Sequence, residues 1–197
     1  MAVTAQQIAA LRAKTGLPMM ECKKALDEAG GDEAKAIEVL RKKGMAKAEK
    51  RAERETKAGL IESYVHTNGQ IGVLLEILTE TDFVARNEEF KGFAHDVALH
   101  ITAAAPKYVS KDQVPAEEME KQKEYFLAEM KDSGKPAEIL EKIIEGKINK
   151  YFEEICLLNQ PFVKDPDKTV GDLLTELIAK IGEKIEITRF ARFAIGE

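Results

Sequence analysis

The chain has 197 residues, enough for one or two domains with a sizeable core. Apolar residues make up 44%, which excludes a disordered chain, and no apolar run approaches the roughly 18 residues of a membrane span. The 30 basic and 35 acidic residues leave a formal charge of −5, which argues against a nucleic-acid binder, whose affinity would come from neutralising phosphates.

Residues 1 to about 55 read as three helices. Met1-Ala2-Val3-Thr4 carries no basic region followed by an apolar stretch, so no secretory signal is expected. Thr4 with Gln7 makes a capping box ahead of Ile8 and Leu11, and Gly16 ends that helix. Pro18 suits the first position of the next helix, which carries Cys22, Ala25 and Leu26 and breaks at Gly30-Gly31. Asp32 caps a third helix with Ala36, Ile37, Val39 and Leu40 inside. A unit this small commits nearly all its apolar residues to its own core. Met19 and Met20, about 100° apart on a helix, cannot both face one narrow stripe. Either both lie at the core edge, or one is left for a partner, a use to which methionine is suited.

From Arg41 to Lys57 basic residues outnumber acidic ones, as in an exposed, mostly helical linker. Glu53 and Lys57 are spaced for an attractive i,i+4 pair. The stretch is either a solvated spacer or a region steering toward an acidic partner or ribosomal RNA.

Residues 60–67 and 70–77 are apolar, β-rich runs around Asn68-Gly69, the dipeptide of a type I′ hairpin turn, with positive φ expected at both residues. Ile71, Val73, Leu75 and Ile77 line one face of the second strand. Leu74 and Leu78 lie on the other, so burial on both sides is expected in part. Gly72 allows a bulge or a close backbone approach, and His66 reads as a surface or packing residue.

Thr79 to Phe90 forms a strand-to-helix corner with Phe83 and Val84 set beside Asp82 and Arg86. Phe83 is either a hydrophobic staple folded back on the helix or a wedge entering a pocket on another protein. A long helix follows with Phe90, Phe93, Ala94, Val97, Ala98 and Ile101 on one face, ended by Pro106. His95 and His100 lack metal-ligand spacing.

Residues 110–156 form a helical hairpin. Ser110 and Pro115 open its first helix, Ser133-Gly134-Lys135-Pro136 turns the chain, and the hairpin is either a self-association surface or folds back on its own body. Asp165-Pro166-Asp167 reads as a turn, and Thr169 with Asp172 opens a short helix that Gly182 ends. Ile185, Ile187, Arg189 and Ala191 then alternate as one face of a third strand. The fold class is α+β: a three-stranded antiparallel sheet packed with helices, a helical hairpin inserted at about 110–156, and a three-helix domain ahead of it. The domains are 1–55 and 56–197. Cys22 and Cys156 read as buried, reduced thiols. No phosphate-binding loop, metal word or nucleophile motif is present, so no cofactor and no enzyme activity are expected.

The words themselves go further. Thr81-Asp82-Phe83-Val84-Ala85-Arg86-Asn87 and Thr15-Gly16-Leu17-Pro18-Met19-Met20-Glu21-Cys22-Lys23-Lys24-Ala25-Leu26 resemble the signatures of the bacterial elongation factor Ts family. Gly134-Lys135-Pro136, Gln160-Pro161-Phe162-Val163 and Arg189-Phe190-Ala191-Arg192-Phe193 resemble it too, in family order over essentially the whole chain. The resemblance implies a cytoplasmic guanine nucleotide exchange factor. It would bind elongation factor Tu in its GDP-bound and nucleotide-free forms, disturb the Mg²⁺/phosphate site and release GDP. The partner-facing residues would be Thr81, Asp82, Phe83, Val84, Arg86 and Asn87 at the corner, and Met19 and Met20 on a ubiquitin-associated-like helical domain. His66, Ile71 and Gly72 on the β-hairpin follow more weakly. The single hairpin resembles the short form of the family and implies a homodimer in a two-plus-two complex, with no membrane or direct nucleic-acid contact. The alternative function is a protein-interaction adaptor using the three-helix domain and the helical hairpin.

Overall fold

The computed structural model describes residues 3–130 and 137–197, so the expected turn at Ser133-Gly134-Lys135-Pro136 lies outside the described residues. The fold is α+β. Helices α1 (Ala5–Thr15), α2 (Met19–Glu28) and α3 (Glu33–Arg51) precede strands β1 (Ala58–Val65) and β2 (Ile71–Thr79). The short α4 (Asp82–Ala85) leads to α5 (Glu88–Ala104), α6 (Ala116–Met130) and α7 (Ala137–Ile155). Strands β3 (Pro161–Phe162) and β4 (Asp165–Thr169), helix α8 (Val170–Ile181) and strand β5 (Ile185–Ala194) complete the order. The main sheet is antiparallel with order β1-β2-β5, and β3 pairs with β4 in a second, two-stranded sheet. Two compact units result. One takes the chain up to Leu60 with Leu78–Phe90 and Leu173–Glu186; the other takes Ile61–Ile77, Lys91–Asp172 and Ile187–Glu197.

In the first unit the helix signals act as expected. The Thr4–Gln7 box is reciprocal, Gly16 caps α1 at φ 67°, and the Asp32 carboxylate accepts from the Lys35 N–H. Leu11, Leu17, Cys22, Ala25, Leu26, Ala36 and Leu40 form the core. Pro18 sits one position earlier than expected: its ψ of 140° is extended, and its carbonyl accepts from the Cys22 N–H. A ring-fixed φ suits either place. The basic stretch is largely a continuation of α3 rather than a separate linker. Gly44 is buried there, where a Cβ would meet Ala179 at 3.4 Å. The helix stops at Arg51, before Glu53, so Lys57 pairs with Glu55 at 2.9 Å and the i,i+4 geometry never forms.

In the second unit Val73, Leu75 and Ile77 are buried as expected, but Leu74 is largely exposed. β2 therefore alternates as a one-sided strand. Helix α5 covers the buried face: the His95 ring lies 5.5 Å from Tyr64 on β1, and Arg192 of β5 donates to the Thr102 carbonyl. The hairpin turn is not type I′. Gly69 alone has positive φ (68°), Asn68 does not, and the Gly69 N–H closes on the His66 carbonyl at 2.7 Å. A four-residue loop between the His66–Ile71 bond leaves room for an ordinary turn followed by one left-handed residue. Gly72 admits no close backbone: the nearest atoms to a Cβ there lie at 3.9 Å.

The β5 alternation also departs from expectation. Ile185 and Ile187 are buried, whereas Arg189 and Ala191 are exposed and Phe190 and Arg192 turn partly inward. The phase slips where Thr188 and Arg189 both bond the Glu76 carboxylate, at 2.6 and 2.8 Å. Two residues of one strand facing one of its neighbour is the effect of a bulge. Asp165-Pro166-Asp167 lies in β4 rather than in a turn; the turn falls at Val163–Lys164 because Phe162 is already paired to Asp165. Ser110 precedes a single 3₁₀ turn, and α6 begins only after Pro115. No residue of α6 is buried, and Tyr125 and Leu127 are exposed. Thr169 and Asp172 cap α8 reciprocally at 3.0 and 3.1 Å. Both cysteines are free and buried.

Candidate functional site

The corner after β2 is built from short-range backbone bonds and one distant carboxylate. The Ala85 N–H donates to the Thr81 carbonyl at 3.2 Å, Arg86 to Asp82 at 3.2 Å and Asn87 to Val84 at 2.9 Å. These make the single turn of α4. Ala85 is the buried residue of that turn, and Val84 is half-buried. Asn87 begins the next helix, its Oδ1 accepting from the Glu89 N–H at 2.7 Å. Asn87 therefore acts as the N-cap of α5.

Phe83 does not fold back as a staple. Its ring is 89% exposed, the highest value among the exposed large apolar side chains. Asp82 and Arg86 beside it are exposed as well. An aromatic ring offered to solvent forgoes about 1.5–3 kcal/mol of burial, which a partner pocket can supply.

The corner is anchored by polar groups. The Glu183 carboxylate accepts from the Thr79 hydroxyl at 3.0 Å, the Thr81 N–H at 3.1 Å and the Thr81 hydroxyl at 2.7 Å. Thr79 is completely buried. The neighbouring Glu80 accepts from the Lys184 N–H at 2.6 Å and from the Arg54 guanidinium at 3.2 Å. The Lys184 N–H above all holds the Glu80 carboxyl below the usual carboxylate range; burial pushes the other way, and the Arg54 guanidinium adds to the lowering. Lys180 pairs with Glu89 at 2.6 Å at the start of α5. Residues 79–90 and 180–184 all belong to one compact unit.

Met19 and Met20, at the start of α2, are 51% and 62% exposed. Neither packs inside, against the reading in which one enters the core while the other is left for a partner; Leu17 and Cys22 are the core residues nearest them in sequence. On the same pair of helices a surface cleft of about 360 Å³ is lined by Glu21, Lys24, Lys43, Ala46, Lys47 and Lys50. Lys47 pairs with Glu21 and Lys43 with Glu28, each at 2.5 Å.

At the β-hairpin tip His66 is exposed and lies 3.3 Å from the Tyr64 hydroxyl, while Ile71 and Gly72 are half-buried. His95 is a surface residue 3.1 Å from Glu62. His100 is fully buried, with Gln160 Oε1 at 2.9 Å and the Val163 N–H donating to its Nδ1 at 3.3 Å. Burial pushes its pKa down, and the bond to Gln160 opposes this. Among the described residues no group of three or more His, Cys, Asp or Glu could hold a metal ion, and no helix is long and apolar enough to cross a membrane.

The sequence pattern pointed to Thr81, Asp82, Phe83, Val84, Arg86 and Asn87; the first five form the turn of α4 with its two caps, and Asn87 follows directly as the cap of α5. The pattern did not point to Glu183, Glu80, Lys184 or Arg54, which position that turn. The Thr-x-Thr spacing of Thr79 and Thr81, two hydroxyls on one side of a strand end, was the available signal for a shared acceptor.

A family model described as Elongation factor TS matches residues 4–197. The chain is similar to "Elongation factor Ts" of Acetivibrio thermocellus, at 56% identity over 99% of this chain and 91% of that one. It is similar to the protein of the same name from Fervidobacterium nodosum, at 54% identity over the whole of both chains. It is also similar to that of Thermosipho melanesiensis, at 55% identity over 99% of this chain and all of the other.

Proposed function

Since the chain belongs to the elongation factor Ts family, we propose that it is the guanine nucleotide exchange factor of elongation factor Tu, releasing GDP so that GTP can bind. The reading rests most on Phe83: an exposed ring on a short, firmly bonded turn inside the family's own signature. No bond is made or broken by this chain. It works by binding the nucleotide-free partner more tightly than the GDP-bound one, and linkage requires that the factor weaken nucleotide by the same ratio.

In this mechanism Phe83 enters as a wedge near the partner's phosphate and Mg²⁺ site. Asp82 accepts hydrogen bonds from donors the wedge exposes, Val84 backs the ring, and Thr81, Arg86 and Asn87 hold the corner. Moving a biased equilibrium about 10⁴-fold takes roughly 5.5 kcal/mol of differential binding. One buried Phe supplies about 1.5–3 kcal/mol. Other contacts must contribute the rest. Met19 and Met20, exposed on the ubiquitin-associated-like helices of residues 1–55, are the foremost of these, with His66, Ile71 and Gly72 on the core of residues 56–197 a weaker set.

The working form is a homodimer in the cytoplasm, binding two copies of the partner. The open face of the sheet supports it: Ile61 and Val65 of β1, Leu74 of β2 and Phe193 of β5 are exposed there. Cross-strand neighbours in this register share that face, and Gly72 leaves a notch between Val65 and Phe193. A second copy would cover it. Sedimentation of the free chain at the dimer mass supports the pairing, and a monomer throughout removes it.

Stopped-flow release of labelled GDP from elongation factor Tu tests the main proposal. Phe83→Ala, with its fold intact, lowers the exchange rate at least tenfold, equivalent to about 1.4 kcal/mol. A rate within about twofold of the unsubstituted protein overturns the wedge. Capture of elongation factor Tu that is indifferent to GDP and Mg²⁺ would favour the adaptor reading instead.

A further inference from the structure

We infer that Glu183 is the positioning residue of the exchange corner, the group through which the body of the protein fixes where the Phe83 ring stands. The inference rests on the wedge proposal and adds to it a residue that lies far outside the signature.

An 89% exposed ring is not held by packing. Its direction is set by the backbone of α4, and α4 is one turn long, too short to persist alone. Something outside the turn must hold it. Asp82 and Arg86 are exposed, so they offer no anchor. Besides the packing of Ala85 and the bonds of the neighbouring Glu80 to Lys184 and Arg54, the side-chain and backbone bonds of Thr79 and Thr81 converge on Glu183. Its Oε1 takes the Thr81 hydroxyl at 2.7 Å, and its Oε2 takes the Thr81 N–H at 3.1 Å and the Thr79 hydroxyl at 3.0 Å.

Thr81 makes the assignment specific. It occupies the N-cap of α4, where a threonine normally turns its hydroxyl back to accept an N–H of its own helix. Here it makes no side-chain cap bond. The hydroxyl is donated outward to Glu183 instead, so a local helix contact has been exchanged for a bond across 102 residues of sequence. Glu183 is itself firmly placed. Gly182 before it takes φ 90° to end α8, and the Lys184 N–H after it is bonded to Glu80. The carboxylate thus ties the end of β2 to the α8–β5 connection. A wedge held this way meets its pocket already oriented, with little ordering left to be done on binding.

A merely structural Glu183 would lower stability and leave the exchange step alone once the protein is folded. A positioning Glu183 acts through Phe83. The measurement is therefore a double-mutant cycle on stopped-flow GDP release from elongation factor Tu, with the full chain and with unfolding midpoints recorded for each variant. Well below its unfolding midpoint, Glu183→Ala lowers the maximal exchange rate about tenfold. Glu183→Gln, whose amide keeps the shape and one acceptor, restores most of it, since the threonine hydroxyls can rotate to accept. In the Phe83→Ala background Glu183→Ala has less than a twofold further effect.

Thr81→Val gives a second route if Glu183→Ala folds poorly. It removes the shortest bond and keeps the N–H, and it lowers the rate about threefold. Full additivity with Phe83→Ala, or a rate within twofold of the unsubstituted protein for both Glu183→Ala and Thr81→Val, overturns the inference while the wedge stands. A normal rate for Phe83→Ala itself overturns the wedge, and this inference with it.

Discussion

The two ends of β2 present exposed side chains by opposite means. At its start, the Thr67–Gln70 loop is closed mostly by its own neighbours: the Gly69 N–H to the His66 carbonyl, the Gln70 N–H to Asn68 Oδ1 and the His66 N–H to the Ile71 carbonyl. Only the ladder bond from the Ile195 N–H to the Gln70 carbonyl comes from afar. At its end, the Thr79–Thr81 corner is gripped by side chains and backbone from residues 183 and 184 and by Arg54. A turn that only reverses the chain can be specified locally. A turn that must aim a ring at another molecule needs a fixed frame, and the frame here is supplied by a different part of the chain.

The largest expected effect that sharpens this contrast is Phe83→Ala. The exchange rate drops tenfold or more while the unfolding free energy stays within about 0.5 kcal/mol, because an exposed side chain contributes little to the folded state. The joint change Met19→Ala with Met20→Ala comes next. Both side chains are outside the core, so stability is nearly unchanged, and exchange falls about threefold as measured by half-saturating factor concentration. An equal loss of stability in either case would mean that these side chains pack on their own body after all.

At the other end of β2 the expected result is reversed. Gly69 stands at φ 68° with nothing within 4 Å of a Cβ built there. Gly69→Ala therefore meets only backbone strain and costs about 1 kcal/mol of stability in a urea titration. The exchange rate stays within twofold. A tenfold fall in exchange from this change would show that the hairpin loop, like the corner, acts on the partner directly.

The same contrast decides what could be read in advance. Helix caps at Thr4, Asp32 and Thr169, the buried stripe of α5 and the inward face Val73-Leu75-Ile77 follow from spacings of two to four residues, and they are as the sequence suggests. Phe83 drew attention because an apolar residue among charges is anomalous at a bend, but the residues alone left it as a staple or a wedge, and only the family resemblance pointed outward. Glu183 was not legible, because nothing local distinguishes a glutamate after a helix-ending glycine from any solvated one. The errors share a cause. The I′ turn at Asn68-Gly69 and the reverse turn at Asp165-Pro166-Asp167 were inferred from residue preferences, and the register of the flanking strands, His66 with Ile71 and Phe162 with Asp165, chose another geometry. The phase slip in β5 depends on Glu76, more than a hundred residues away, accepting from both Thr188 and Arg189.

The smallest expected effect separates the second anchor of the corner from the first, and it is read by pH. The Lys184 N–H and the Arg54 guanidinium lower the pKa of Glu80 from the ordinary 4.5. A carboxyl with a depressed folded pKa binds its proton more readily in the unfolded chain. Its stabilisation is therefore fully present above the ordinary carboxylate range and is lost as pH falls through the lowered folded value. The urea midpoint of the unsubstituted protein then exceeds that of Glu80→Gln at pH 7, and the gap narrows steadily toward pH 3. Glu76→Gln provides the reference, since the Arg189 guanidinium and the Thr188 hydroxyl lower that carboxyl in the same direction from the middle of β2. If Glu80 anchors the corner, Glu80→Gln also slows GDP release at neutral pH, by about twofold, and Glu76→Gln does not. A gap that stays constant from pH 7 to pH 3 would mean the Glu80 charge contributes nothing, leaving the corner to hang from Glu183 alone.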